Sequence, residues 1–251
     1  GRLGVAVSGG PDSVALLLLA AAAVPGAVEA ATVDHRLRPE SAGEAELVAG
    51  LCASLGVPHA TLLPSAPIEG SLQAEARRAR YALLEDWRRE RGLDWLLTAH
   101  HADDQAETLL MRLNRGAGIA GLSGVRAVNG RVLRPLLGWR RAELAQIVRA
   151  AGIEAVDDPS NADERFDRAR LRRRLRDADW IDRAALARSA AALAEGDEAL
   201  EWAADRLFEQ RTRADPDGLS LDPTGLPGEL RRRLLSRALR RIDPDAAPRG
   251  E

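Results

Sequence analysis

The chain has no lysine. All 36 of its basic residues are arginine, a usage that a GC-rich coding bias produces on its own. Cysteine occurs once, as Cys52, which excludes a disulfide framework and any Cys-x-x-Cys pair within this sequence. No apolar stretch is long enough to span a bilayer. The longest candidate, Val14–Val24, is too short and reads as the continuation of a helix. No secretory signal is visible, so the cytoplasm is the expected compartment and no membrane partner is expected. What is present is ordinary for a globular protein. The 251 residues are 45% apolar and 29% charged, enough for one large domain and something smaller. The net charge of −2 conceals an uneven distribution. Residues 165–176, RFDRARLRRRLR, carry seven arginines against one aspartate, and a second cluster covers Arg231–Arg233, Arg237, Arg240 and Arg241. Concentrated arginine in a near-neutral protein points to a polyanion, although one such cluster is also what a solvated helix face looks like.

Short apolar runs alternate with longer amphipathic ones over the first 150 residues. Strands are expected at 2–8, 29–34, 59–64 and 94–100, with a short fifth at 131–138. Helices are expected from Asp12 to about Val24, then at 39–56, 71–92, 102–116 and 140–152. This alternation predicts an α/β fold, a doubly wound, mostly parallel five-stranded sheet with helices on both faces. Beyond Gly152 the pattern becomes helical, with one or two helices over 180–214, another over 226–242, and at most a strand at 218–222. The expected division is 1–178 and a small helical domain over 179–251. The Gly-rich stretch 115–125, RGAGIAGLSGV, has neither helical nor strand period and fits a mobile substrate loop.

Chemistry-bearing residues fall where the expected strands end. The first strand runs into Ser8-Gly9-Gly10-Pro11-Asp12-Ser13. Two glycines allow a sharp turn and close approach of a ligand, and Pro11 suits a first helical position. The start of the helix then offers backbone N–H groups to an anion, with Ser8 and Ser13 beside them. This loop is neither of the common phosphate-binding motifs. Asp12 should repel phosphate unless it holds a Mg²⁺ bridging to it, although an aspartate in a first turn also serves the helix dipole. The second strand ends in Asp34, His35, Arg36 and Arg38. The fourth ends in His100 and His101, followed by Asp103, Asp104 and Glu107 at helical spacing. In an open parallel sheet, ligands bind beyond the carboxyl ends of the strands. The histidine–carboxylate set could also suit zinc, but the anion turn beside it favours phosphate with Mg²⁺.

The SGGPDS segment resembles the loop of the PP-loop (N-type) ATP pyrophosphatases, which cleave ATP to AMP and pyrophosphate and adenylate a substrate oxygen. VDHRLRPES, EARRARYALL, TAHHADDQAETLLMRLNRGAGIAGLSG, RPLLGWRRAEL and DDPSNADERFDRARLR resemble successive blocks of the tRNA(Ile)-lysidine synthetase family, over about residues 3–176. The resemblance implies ligation of free lysine to C2 of the wobble cytidine of a CAU-anticodon isoleucine tRNA, using ATP and Mg²⁺. It implies that Ser8, Gly9, Gly10, Pro11, Asp12 and Ser13, with Asp34 and His35, hold the nucleotide, Asp12 also holding Mg²⁺. His100, Asp104 and Glu107 would sit at the reacting centre, with Arg80 near the adenylate. Arg36, Arg38, Arg168, Arg170 and Arg172 would meet the tRNA. The family's R-N-R-I-R run departs here to Arg168-Ala169-Arg170-Leu171-Arg172, which removes the asparagine. Many members carry a further C-terminal domain, so the tRNA grip would rest more on the Arg231–Arg241 helix. A homodimer stays open. A tRNA thiolase with the same loop would need reactive cysteines or an Fe–S cluster, which a lone Cys52 cannot supply. A non-catalytic nucleotide-binding module would not need His100, Asp104 and Glu107 on the same edge.

Overall fold

A computed structural model of the chain describes residues 1–36, 41–64, 72–156, 167–176, 178–216 and 218–244. In chain order the elements are β1 (Leu3–Ala6), α1 (Pro11–Ala23), β2 (Val28–Val33), α2 (Ser41–Ser54), β3 (His59–Leu62), α3 (Leu72–Glu90), β4 (Trp95–Leu97) and α4 (Ala102–Leu113). There follow α5 (Ile119–Leu122), β5 (Val128–Asn129), β6 (Val132–Leu133), α6 (Arg141–Ala150), α7 (Asp167–Arg176), α8 (Arg183–Arg211), β7 (Thr212–Asp215), β8 (Gly218–Leu221) and α9 (Gly228–Ile242). The chain divides into two compact units: Gly1–Glu107 with Val125–Ala187, and Thr108–Gly124 with Arg188–Glu251. A cut at residue 178 differs from this division by the inserted segment Thr108–Gly124 and by residues 179–187.

The first unit is built on a six-stranded sheet in the order β3-β2-β1-β4-β6-β5. All neighbouring pairs are parallel except the β5–β6 hairpin at one edge. That hairpin supplies the strand beyond the expected five. With Asn129 paired to Val132 it turns through Gly130-Arg131, where Gly130 takes a φ of 57° that side-chain-bearing residues avoid. Of the run 131–138 only Val132–Leu133 is strand. Pro135, which has no N–H to give a ladder, lies just beyond it.

Alternation along the strands sorts the core onto two faces. Val5, Val7, Val28, Ala30 and Leu97 pack with residues of α1, Val48 and Cys52 of α2, and Leu144 and Val148 of α6. Ala31 and Leu96 face the other way, with Leu84 and Trp87 of α3 and with Leu93. The sheet is therefore covered on both faces, as a parallel sheet requires. At Gly4 a Cβ would lie 2.7 Å from the Trp87 ring and 2.9 Å from Leu93, so the bare backbone of β1 is what lets Trp87 lie flat on the sheet.

The arginine run at 167–176 forms a helix of its own, α7, with Leu175 buried. In the second unit, α8 is one uninterrupted helix. It ends at Arg211, earlier than the sequence pattern suggests, because Thr212–Asp215 pairs antiparallel with Gly218–Leu221. The Gly-rich stretch 115–125, expected to lack regular structure, contains the helical turn α5. Arg112 ties it down by donating to the carbonyls of Gly121 (2.6 Å) and Gly124 (3.1 Å), and the Ser123 hydroxyl donates to Ile119 (2.7 Å). Among the described residues no helix is long and apolar enough to cross a membrane.

Candidate active site

The loop after β1 holds its own shape. Gly9 has a φ of 86°, and its carbonyl accepts from the Val156 N–H at 3.0 Å. Gly10 is the N-cap of α1 and Pro11 its first residue. The Ser13 hydroxyl donates to the Gly10 carbonyl (2.9 Å), accepts from the Ser8 N–H (3.1 Å) and lies 3.2 Å from the Ser8 hydroxyl. The first turn of α1 thus points its amide groups out of the sheet edge behind a braced Gly-Gly turn, an arrangement made for an anion.

The ends of β2 and β4 lie on either side of this loop, because β1 pairs with both strands. Strand parity then separates the adjacent histidines. Leu96 faces α3 and Leu97 faces α1, so two residues of opposite parity at the end of β4 turn to opposite sides. His101 goes to the α1 side. Its Nε2 lies 3.3 Å from Asp12 Oδ2 and 3.5 Å from Asp104 Oδ2, and its backbone N–H donates to Asp104 Oδ2 at 3.1 Å. The last contact is half of a capping box at the start of α4. Burial disfavours a charged His101, but the hydrogen bond to Asp12 and the charges of Asp104, Asp12 and Asp103 outweigh it and raise its pKa. His100, held by the Thr98 hydroxyl at 3.1 Å, behaves in the opposite way. Burial, joined by the charges of Arg134, Arg77 and Arg80 and opposed by Asp104, lowers its pKa to about 4. His100 is therefore neutral at physiological pH.

The carboxylates expected from the α4 motif do converge, together with Arg172, expected at the tRNA, and with Arg141 and Arg183, which the sequence reading left out. Arg172 of α7 grips Glu107 in a two-pronged pair (2.7 and 2.9 Å) and lies 3.6 Å from Asp104. Asp103 accepts from the Arg141 backbone N–H at 2.9 Å and lies 3.4 Å from Arg183. The Arg141 guanidinium is 3.9 Å from Asp12. A cleft of about 190 Å³ opens among Asp103, Glu107, Arg141, Arg172, Leu175 and Arg183. Glu107 is 4% exposed, a burial that such a charge tolerates only when paired. Sequence spacing had pointed to α4 and to the two histidines before it, but gave no sign that Arg141 and Arg183 would join them. Their positions depend on strand parity and on the packing of three separate helices.

The remaining expected residues fall at the neighbouring strand end. Asp34 accepts from the Arg36 N–H at 2.8 Å and follows β2 directly. Burial would raise its pKa, but hydrogen bonds from Ser41 and Arg36 bring it down. His35 is pushed down by burial and by the charge of Arg80, against Asp34. Arg80 of α3 is itself lowered by burial. Arg170 is exposed on α7. Arg38 and the side chain of Arg168 lie outside the described residues.

Two buried atoms in this cluster have no hydrogen-bond partner among the described residues, His101 Nδ1 and Asp12 Oδ1. A carboxylate oxygen left so at the start of a helix suits a cation that takes its other ligands from a phosphate, as Mg²⁺ does. Among the described residues no three His, Cys, Asp or Glu side chains are placed to enclose a metal ion, so the donor set does not fit the zinc alternative. Cys52 is fully buried, and burial pushes its thiol up to about 11, so it carries no thiolate at neutral pH.

The PP-loop domain model matches residues 1–178. Curated tRNA(Ile)-lysidine synthases are similar along the whole chain. That of Zymomonas mobilis is 47% identical over 260 residues, covering 100% of this chain and 78% of its own length. That of Novosphingobium aromaticivorans is 48% identical over 257 residues, with the same coverage. The chain belongs to the tRNA(Ile)-lysidine synthase family. The Ruegeria pomeroyi member is 50% identical over 247 residues, covering 93% of this chain and 59% of its own. Among solved structures, the U34-tRNA thiolase of Methanococcus maripaludis superposes with a TM-score of 0.63 at 15% identity, covering 77% of this chain and 72% of that one. At that identity the likeness is one of fold.

Proposed function

We propose that the chain ligates lysine to C2 of the wobble cytidine of a CAU-anticodon tRNA(Ile). The energy comes from ATP, the intermediate is an adenylated tRNA, and the products are lysidine, AMP and pyrophosphate. The observation that carries the reading is the pairing of a braced anion loop with a cleft of mixed charge at the same sheet edge, in a chain of this family. In the first step the C2 oxygen attacks the α-phosphorus of ATP, the O–P bond forms, and the bond to the β-phosphate oxygen breaks. In the second the ε-amine of lysine attacks C2, and the C2–O bond breaks to release AMP.

Each step asks for something the residues can give. The loop Ser8–Ser13 receives the phosphates through the amides of α1. Asp12 is the residue that would hold Mg²⁺, which when bound offsets charge building on the departing pyrophosphate. Asp34 and His35 flank the nucleotide. The cleft suits a zwitterionic amino acid: Asp103, Asp104 and Glu107 for an ammonium, Arg141 and Arg183 for a carboxylate. Glu107 accepts the proton that the incoming amine must lose, once the amine has displaced the Arg172 guanidinium. Neutral His100 offers a hydrogen bond without a charge that would repel the activated cytidine. Arg36, Arg38, Arg168 and Arg170 meet the tRNA backbone, and Arg172 joins them when released. Residues 1–178 act as the catalytic part and 179–251 as a tRNA-contacting part, in the cytoplasm.

The test is transfer of radiolabelled lysine to a CAU-anticodon tRNA(Ile) transcript with ATP and Mg²⁺, with elongator methionine tRNA as control. Incorporation into the isoleucine tRNA alone supports the proposal. AMP transfer without lysine incorporation would keep the adenylating site and reject lysine as the nucleophile.

A further inference from the structure

Arg134 follows β6 directly and is buried, 7% exposed. One of its terminal nitrogens donates to the Arg126 carbonyl at 2.7 Å, while its Nε is buried with no partner among the described residues. No carboxylate pairs with it among those residues. A buried guanidinium so poorly satisfied is a net cost to the fold, and nothing in the packing repays it.

Its position gives the cost a purpose. β6 lies beside β4 in parallel, with Leu97 opposite Leu133, so Arg134 emerges at the same carboxyl edge as His100. Parity sends both to the α3 side, since Val132 and Leu96 face that way. From α3 come Arg77 and Arg80, whose charges are felt at His100 together with that of Arg134. Three guanidinium groups therefore bear on one region of the edge, opposed there by Asp104. The acidic cluster of Asp12, Asp103 and Glu107 belongs to the α1 side of the same edge.

We propose that Arg134 is an anion-binding residue of the active site, completing with Arg77 and Arg80 a pocket for a phosphate group. It rests on the reading of this edge as an adenylating site, and it gives a role to a residue of the RPLLGWRRAEL block that the family resemblance left without one. The phosphate can come from the nucleotide or from the RNA backbone. The burial of Arg134, at the end of the strand next to the one that leads to His100, assigns it to the nucleotide.

The test compares Arg134→Met and Arg134→Lys with the wild-type chain, reading melting temperature without ligand, affinity for AMP by calorimetry, and affinity for a CAU anticodon stem-loop. Removing an unpaired buried charge should leave Arg134→Met at least as heat-stable as wild type. Its affinity for AMP should fall by roughly tenfold or more, the scale of one charge-assisted pair. Arg134→Lys, keeping the charge without the fork, should retain part of that affinity. A loss confined to the stem-loop would overturn the nucleotide assignment in favour of an RNA phosphate. Unchanged binding of both ligands by a less stable Arg134→Met would overturn the proposal and make Arg134 structural. Failure of the wild-type chain to transfer lysine, with AMP binding still dependent on Arg134, would count against the proposed reaction and leave the phosphate pocket standing.

Discussion

Each unit of the molecule contains a knot of arginines and carboxylates, and the two are finished differently. In the second unit, Arg233 of α9 is 3% exposed, and all three of its guanidinium nitrogens are met: Nη2 by Asp197 at 2.5 Å, Nε by Glu229 at 2.8 Å, and Nη1 by Glu201. Arg237 adds Asp205 at 2.8 Å and shares Glu201. In the first unit, Arg172, Arg141 and Arg183 face Asp12, Asp103, Asp104 and Glu107, but among the described residues Asp12 Oδ1 and His101 Nδ1 have no hydrogen-bond partner, and a cleft opens among Asp103, Glu107 and the three arginines. Charge density is alike in kind, but only one cluster has spare valences. A saturated ion network holds helices together; an unsaturated one next to a cavity is waiting for a ligand.

The comparison can be broken most directly at Asp12. Asp12→Ala should cut pyrophosphate release by roughly a thousandfold, the scale of several kcal/mol expected for losing a metal-bridged phosphate contact, while changing the melting temperature little. Near-normal turnover would show that its orphaned oxygen has no catalytic use. The mirror experiment is Arg233→Ala, which takes from buried Asp197 its guanidinium partner and should cost about 3–5 kcal/mol in a denaturant titration. Replacing the pair together, Arg233→Met with Asp197→Leu, should recover most of that loss. No comparable rescue by apolar replacement should restore turnover in the first unit.

Smaller effects sharpen the division within α7. Arg170→Ala should weaken binding of the tRNA and reduce the slope of log K against log salt by about one. Arg172→Ala should instead change lysine transfer more than the salt slope, because its guanidinium sits on Glu107. Equal slopes for Arg170→Ala and wild type would return that arginine to a solvated surface role. The mildest prediction concerns stability. With its pKa lowered from 6.5 to about 4, His100 takes up a proton in the unfolded chain before it does so in the folded one. Its neutral burial therefore contributes fully above pH 6.5, and the contribution is lost as pH falls through that interval. His100→Gln should show a smaller drop in melting temperature between pH 7 and pH 4.5 than the wild-type chain.

How much of this was legible in the sequence depended on what each segment repeats. Strands β1 to β4 and the helices between them announce themselves, because an apolar run bounded by glycine or a cap residue has few other readings. The β5–β6 hairpin was signalled by Asn129-Gly130, and the β7–β8 hairpin by a Pro-Asp-Gly turn. Both were overshadowed by longer neighbours: an apolar run continuing to Leu137, and a helical pattern continuing past Arg211. Helix α7 hides because its inward face amounts to little more than Leu171 and Leu175 among arginines. At the site, Gly9, Gly10, Asp12 and the α4 carboxylates stood out by type and spacing. The partition of His100 from His101 did not, since it turns on which face of β4 each neighbouring leucine takes, and Trp95-Leu96-Leu97 is apolar on both. Arg134 heads the RPLLGWRRAEL block, but the block gave it no role, since its burial and unmet Nε depend on its surroundings.

The central place of β1 has a consequence in time. This strand is made before either of its partners, one of which is β4, and the Arg2 N–H that marks its start is bonded to Asp94, 92 residues later. The Gly-Gly turn hangs from the end of β1, so it cannot settle between its neighbours until β4 has been made. Contacts of such long range are slow to form. The nucleotide loop, encoded well before β4, is expected to be among the last parts of the first unit to mature.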